Sequence, residues 1–193
     1  MIDSFFKKIY EHPAITPENY AQLIAAHTKV EFSKNDMILK EGEISNAYYL
    51  IEKGLFRSFV IDYSGNEITI NFFGDSEILI EVSSLFQRVP SNENLQALTA
   101  GVAWKIDFDI FQELFQKIEG FAEWGRGWMS NQLFVSKQRS IRMLTHSAKE
   151  RYLNLIKEQP KIVQEAPLKH IASYLGITDT SLSRIRKEIA QEM

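Results

Sequence analysis

The chain has 193 residues, of which 45% are hydrophobic, with a formal net charge of −3 and a pI near 5.9; that is ample for a packed core in one domain or two small ones. No segment approaches the roughly 18–20 apolar residues that span a bilayer, and the opening MIDSFFKKIYEHP lacks the continuous apolar core and small-residue cleavage site of a signal peptide, so a cytoplasmic, membrane-free protein is expected. The complete absence of cysteine excludes disulfides, cysteine-ligated zinc and iron–sulfur clusters.

Taken in chain order, the first 29 residues predict helix. Phe5, Phe6, Ile9 and Tyr10 recur at helical spacing, Pro13 interrupts them, and Thr16-Pro17-Glu18 opens a second short helix carrying Leu23 and Ile24. From about Val30 to Asp107 the pattern turns to short β-runs: Met37–Leu39, Tyr48–Ile51, Leu55–Ile61, Ile68–Phe73 and Val102–Ile106. Gly42, Gly54, Gly65 and Gly74 punctuate them at intervals of 12, 11 and 9 residues, the spacing of a sandwich, jelly roll or barrel. Ser64-Gly65-Asn66 reads as a hairpin turn. The interval from Asp75 to Asn94 is less regular and reads as a helical turn plus a loop of functional length.

Asp107 is placed to cap a helix bearing Ile110, Phe111, Leu114, Phe115 and Ile118. A longer helix runs from about Phe121 to Leu144, its first turns weakened by Gly125 and Gly127. It carries Trp124, Trp128, Met129, Leu133, Phe134, Val135, Ile141 and Leu144, more apolar surface than one stripe needs. Such a helix packs against two things, here the β-region and the same helix of a second subunit. Ser147 caps a further helix with Tyr152, Leu153 and Ile156 that ends at Gln159-Pro160, and Lys161 to Ala166 is read as a connector.

The last predicted unit is PLKHIASYLGITDTSLSRIRKEI, Pro167 to Ile189. Leu168, Ile171, Ala172 and Leu175 fall at i, i+3, i+4 and i+7, the apolar stripe of a short helix. Pro167 suits its start, Gly176 its left-handed exit, and Thr178 the N-cap of a second helix whose inner face is Leu182, Ile185 and Ile189. Two short helices around a glycine turn make a helix-turn-helix, although an ordinary αα-hairpin shares the pattern. The outward residues Asp179, Thr180, Ser181 and Arg184 are suited to base edges, Arg184 as a bidentate donor to guanine and Asp179 as an acceptor from a cytosine amino group. Lys169, Arg186 and Lys187 are suited to phosphates. Charge agrees: from Lys137 onward 11 Lys+Arg stand against 6 Asp+Glu, whereas the preceding part holds 11 against 19. Only the C-terminal part is therefore expected to meet nucleic acid.

A β-region, one long helix and a C-terminal helix-turn-helix, in that order, resemble the Crp/Fnr family of bacterial transcription regulators. The residues that carry the resemblance are Ile38-Leu39-Lys40-Glu41-Gly42-Glu43, Tyr49-Leu50-Ile51-Glu52-Lys53-Gly54, Asp62-Tyr63-Ser64-Gly65-Asn66-Glu67, Ser147 to Tyr152, and Ile171 to Ile177. The resemblance implies an α+β fold: a cyclic-nucleotide-binding-like double-stranded β-helix (jelly roll) with flanking helices over 1–120, a dimerisation helix over 121–145, and a winged-helix-like helix-turn-helix domain over 146–193. It implies double-stranded DNA and a second copy of the chain as partners, with room for RNA polymerase and a small-molecule effector.

In the cyclic-AMP-binding members a glutamate holds the ribose and an arginine ten residues on neutralises the phosphate. Glu81 fits the first position; Ser91, followed by Asn92, occupies the second, so the phosphate cation is missing and Arg88 is the nearby substitute. Cyclic AMP is not expected, against an unknown effector or none. The family's haem branch needs a histidine in the β-roll, and none of His12, His27, His146 and His170 lies between Val30 and Asp107. The same lack argues against a metal-dependent cupin-like enzyme, so no catalytic residue, metal site or resident cofactor is expected. Too few residues follow Ile189 for a hairpin, which places any wing near Lys161–Glu165. The competing reading is a ligand-binding or scaffold protein whose helix-turn-helix contacts protein.

Overall fold

The computed structural model describes residues 2–192; Met1 and Met193, the outer ends of the first and last expected segments, lie outside the described residues. Helices α1 (Ile2–Ile9) and α2 (Pro17–Ala25) come first. Thr16 caps α2 by accepting from Asn19 N at 3.3 Å, with Pro17 in the first turn, where its missing N–H costs nothing. Eight strands follow, interrupted once: β1 (Thr28–Phe32), β2 (Met37–Leu39), β3 (Ala47–Lys53), β4 (Phe56–Ile61), β5 (Glu67–Phe73), β6 (Ile78–Leu79), α3 (Val82–Gln87), β7 (Asn94–Ala97) and β8 (Gly101–Asp107). They form two four-stranded antiparallel sheets, ordered β1-β8-β3-β6 and β2-β7-β4-β5.

Between the sheets, Leu39, Ile51, Phe56, Leu79, Leu95 and Ala97 make one buried cluster. A second joins α1, α2 and the first sheet to α4 (Phe108–Lys117) and the start of α5 (Phe121–Thr145), through Phe6, Tyr10, Tyr48, Ile106, Phe111 and Phe121. The β4–β5 turn is rigid, because Asp62 Oδ1 accepts from Ser64 N and Asn66 N, both at 2.8 Å.

The irregular interval of the sequence contains β6, α3 and the approach to β7; the two-residue β6 and the polar Asn94-Leu95-Gln96-Ala97 carry no strand signal of their own. Asp107 does stand at the N-cap of α4, but no side-chain cap bond forms; its carboxylate pairs with Lys105 Nζ at 2.7 Å. α5 runs unbroken through Gly125. A Cβ there would lie 2.6 Å from Phe115 Cε2, so glycine is what lets α5 press against α4.

The C-terminal part is helical: α6 (Ala148–Glu158), α7 (Pro160–Glu165), α8 (Leu168–Tyr174) and α9 (Asp179–Glu192). Ser147 and Glu150 cap α6 reciprocally. Residues 160–165, expected as a connector or the place of a wing, form α7 instead, started by Pro160 and anchored by buried Ile162. Ile171, Ala172, Leu175, Leu182 and Ile185 are buried between α8 and α9, in one cluster with Tyr152 and Leu155 of α6. That cluster does not stop at the helices: Leu55, Phe72 and Leu98 of the β-region belong to it.

Candidate nucleic-acid interface and effector pocket

The turn between α8 and α9 depends on Gly176, whose φ of +65° is the left-handed region that a side chain disfavours. The N–H of Ile177 bonds Ala172 O at 3.0 Å, and Thr178 Oγ1 accepts from Ser181 N at 3.2 Å, opening α9. Ala172 is fully buried in the cluster that joins the two helices. Two arginines close this same C-terminal end of α8. Arg139, from α5, donates to Tyr174 O at 3.1 Å and to Ile70 O of β5, while Arg151 donates to Leu175 O at 2.8 Å. Cations at the carbonyl end of a helix satisfy its orphan acceptors and its dipole. Neither arginine has a periodicity signal in the sequence, because what they meet is brought to them by the tertiary fold.

With Leu182, Ile185 and Ile189 turned inward, Thr180, Arg184 and Lys187 fall at i, i+4 and i+7 on the opposite face of α9. All three are exposed, and Arg184 is 76% exposed with only a loose contact, 3.9 Å, to Glu188. Asp179 and Arg186 are exposed on the flanks of that face. Ser181 is half-buried and its hydroxyl accepts from Thr178 at 3.0 Å, so it belongs to the cap. Lys169 is exposed on α8, apart from the others. The outward face therefore brings together one hydroxyl, one forked donor and one point charge.

The expected effector residues surround α3. Glu81 is buried, and its carboxylate caps α3 by accepting from Ser84 N and Ser83 Oγ. Ser91, also buried, donates its hydroxyl to Glu93 O at 2.7 Å and its N–H to Glu43 O at 2.8 Å. Arg88 takes a left-handed backbone conformation (φ +57°) and its guanidinium donates to Ser45 O at 2.7 Å and to Asn46, over the ring of Phe108. It is committed to structure instead of standing in for a phosphate cation. Asn92 is exposed.

Glu93, not singled out from the sequence, is the more telling residue. Burial pushes its carboxyl above the usual range and the neighbouring Glu81 pushes the same way, with Ser58 and Arg139 opposing. Two carboxylates thus neighbour one another beside α3, with Arg139 as the cation acting on Glu93. Among the described residues, no three His, Asp or Glu side chains converge to hold a metal ion.

Helix α5 supplies the third surface. Met129, Leu133, Phe134, Ile141 and Leu144 are between 38% and 87% exposed and lie along one broad side of the helix. At its N-terminal end this side runs into an open groove of about 430 Å³ between α3, α4 and α5, walled by Phe86, Phe111, Phe115 and Met129.

Residues 29–118 match the family model of the cyclic nucleotide-binding domain. The type II regulatory subunit of the cAMP-dependent protein kinase of Drosophila melanogaster is 22% identical over 111 residues, covering 58% of the present chain; the match spans 28% of that relative's length. Among solved structures, the c-di-GMP-responsive global regulator CLP of Xanthomonas campestris superposes with a TM-score of 0.72 at 14% identity, over 92% of this chain and 93% of its own. A protein of Eubacterium rectale assigned to the Crp/Fnr transcriptional regulators gives 0.72 at 15% identity, over 92% and 85%. The chain therefore carries a cyclic nucleotide-binding-type β-domain within an α+β fold similar to that of Crp/Fnr regulators. No helix among the described residues is long and apolar enough to cross a membrane.

Proposed function

We propose that the protein is a sequence-specific DNA-binding transcription regulator of the Crp/Fnr type, a binding protein and not a catalyst, acting in the cytoplasm as a homodimer. The observation that carries the reading is the α8–α9 pair: a glycine turn, a small buried residue between the helices, and an exposed face with Thr180, Arg184 and Lys187 opposite the core. This is a helix-turn-helix whose second helix is free to enter a major groove. The strand order β1-β8-β3-β6 over β2-β7-β4-β5 supports the double-stranded β-roll reading of the effector domain. The exposed apolar side of α5 supports dimerisation, since an uncovered stripe of this extent marks an association surface.

The division of labour on α9 is testable on a duplex selected by the protein itself. Arg184→Ala is expected to cost ~1–3 kcal/mol on the selected sequence and to relax base preference. Lys187→Ala is expected to weaken all sequences alike and to flatten the dependence of affinity on salt. Equal loss on selected and unrelated duplexes in Arg184→Ala would reject the assignment.

On charge grounds cyclic AMP is a poor effector for this β-roll: Ser91 supplies no cation and Arg88 is engaged elsewhere. Millimolar cyclic AMP is accordingly expected to leave the thermal midpoint unchanged. A ligand at a hundredfold excess over Kd would add about 2.7 kcal/mol, an easily measured rise.

A further inference from the structure

Among the described residues, the largest fully buried side chain is a charged one. Arg57 of β4 is 1% exposed, and its guanidinium is shared between the two ends of the fold. Within the β-region it donates to Gln96 Oε1 at 2.7 and 2.9 Å and pairs with Glu67 Oε2 at 2.6 Å, its plane over Phe59. From the same group, Nη1 lies 2.7 Å from Nδ1 of His170, buried in α8 and 113 residues away. A guanidinium has only donors, so His170 accepts through Nδ1 and is a neutral imidazole with its proton on Nε2. Around this contact Ser173 Oγ accepts from Thr69 N at 3.2 Å, and the Tyr174 ring meets Phe72 edge-on at 5.1 Å.

Helix α8 thus divides its residues between two partners. Ile171, Ala172 and Leu175 face α9, while His170, Ser173 and Tyr174 face β4 and β5. The outward face of α9 takes no part in the docking and remains exposed. The docking leaves those residues free and ties the helix pair to the β-domain.

We propose that Arg57 is a positioning residue for DNA reading: through His170 it fixes α8, and hence α9, against the β-domain, so that the reading helices of a dimer are held ready for two half-sites at once. The inference rests on the dimeric DNA-reading proposal. Its physical basis is that preorganisation raises affinity for a paired site without any new contact to DNA.

The charged groups facing His170 are Arg57 from β4, Glu67 from β5 and Lys169 beside it on α8. Burial, then Arg57 and Lys169, bring its pKa down to about 4 from the ordinary 6.5, with Glu67 opposing. An undocked helix would take up the proton from about pH 6.5 downward, so acid favours undocking.

The experiment compares the full-length wild type, Arg57→Met and His170→Asn on duplexes selected by the wild type, carrying either both half-sites or one. Arg57→Met is expected to lose on the order of tenfold on the paired site and nothing on the single half-site. The ratio of paired to single affinity in wild type should fall between pH 6.5 and 5. In His170→Asn, which keeps an acceptor but cannot titrate, the ratio should match wild type at pH 7 and stay level in acid. An unchanged ratio in Arg57→Met, or an acid loss in His170→Asn equal to wild type, would overturn the positioning role while leaving DNA reading intact. No preference of the wild type for paired sites would overturn the dimeric reading and the positioning role with it.

Discussion

Phe121→Ala is expected to destabilise the protein by about 3–5 kcal/mol, among the largest losses a single truncation can cause here. Phe121 opens α5, is fully buried, and sits at the centre of an aromatic cluster. Its ring stacks on Trp124 at 5.1 Å and meets Tyr10 at 5.4 Å, Phe115 at 5.6 Å and Phe111 at 5.7 Å. These neighbours come from the residue just after α1, from α4 and from α5 itself, so the cavity left by alanine would lie where the N-terminal segment, the cap of the β-domain and the long helix converge. The lost transfer free energy and the cavity act together, and the surrounding rings are too stiff to collapse into the gap. Urea denaturation of wild type and variant, with the slope held in common, measures the loss. A cost below about 1 kcal/mol would mean that α5 does not seat on the β-domain through this ring. Phe121→Leu, which keeps most of the volume, is expected to fall between the two.

Stability should also drop steeply in mild acid, and the main cause should be His27. Its Nδ1–H donates to Leu23 O at 2.6 Å, Tyr10 OH donates to Nε2 at 2.9 Å, and Tyr48 OH donates in turn to Tyr10 OH at 2.7 Å. Every polar atom in this chain is satisfied with the imidazole neutral, and burial lowers the His27 pKa to about 4, the Leu23 carbonyl opposing. The unfolded chain binds the proton from about pH 6.5 down, the native protein only near pH 4, so stability is complete above 6.5 and is lost as the pH falls through that window. The slope contributed by one such group approaches about 1.4 kcal/mol per pH unit. His170, lowered to about 4 by burial and by Arg57, adds in the same direction. His27→Gln should be less stable at pH 7 but show a shallower acid limb between 6.5 and 4. An unchanged limb would contradict the neutral, buried imidazole.

Much of the local structure is legible in the sequence because short-range chemistry specifies it. The α8–α9 pair follows from the apolar spacing around Ala172, from Gly176 and from Thr178, and the structure forms each of these features. The strands with strong β-formers, β3, β4, β5 and β8, are visible for the same reason, whereas β6 and β7 form because neighbours pair with them. α7 escapes notice because six residues give too little periodicity. What no local pattern reveals is the docking of the helices on the β-domain. Arg57 reads as an ordinary strand residue and His170 as an ordinary helix residue until the fold brings them to 2.7 Å. Arg88 shows the reverse: proximity in sequence to the missing phosphate cation suggests a substitute, but the left-handed end of α3 turns its guanidinium onto Ser45 and Asn46.

The most direct test of the account is selection from a random duplex library by the purified full-length protein, followed by a salt titration on the enriched sequence. The proposal predicts a roughly palindromic site whose half-sites lie about one helical turn, ~34 Å, apart, bound with an affinity that falls steeply with salt. Failure to enrich any sequence, with no salt-dependent binding to duplex DNA, would contradict it and leave the exposed face of α9 to a protein partner.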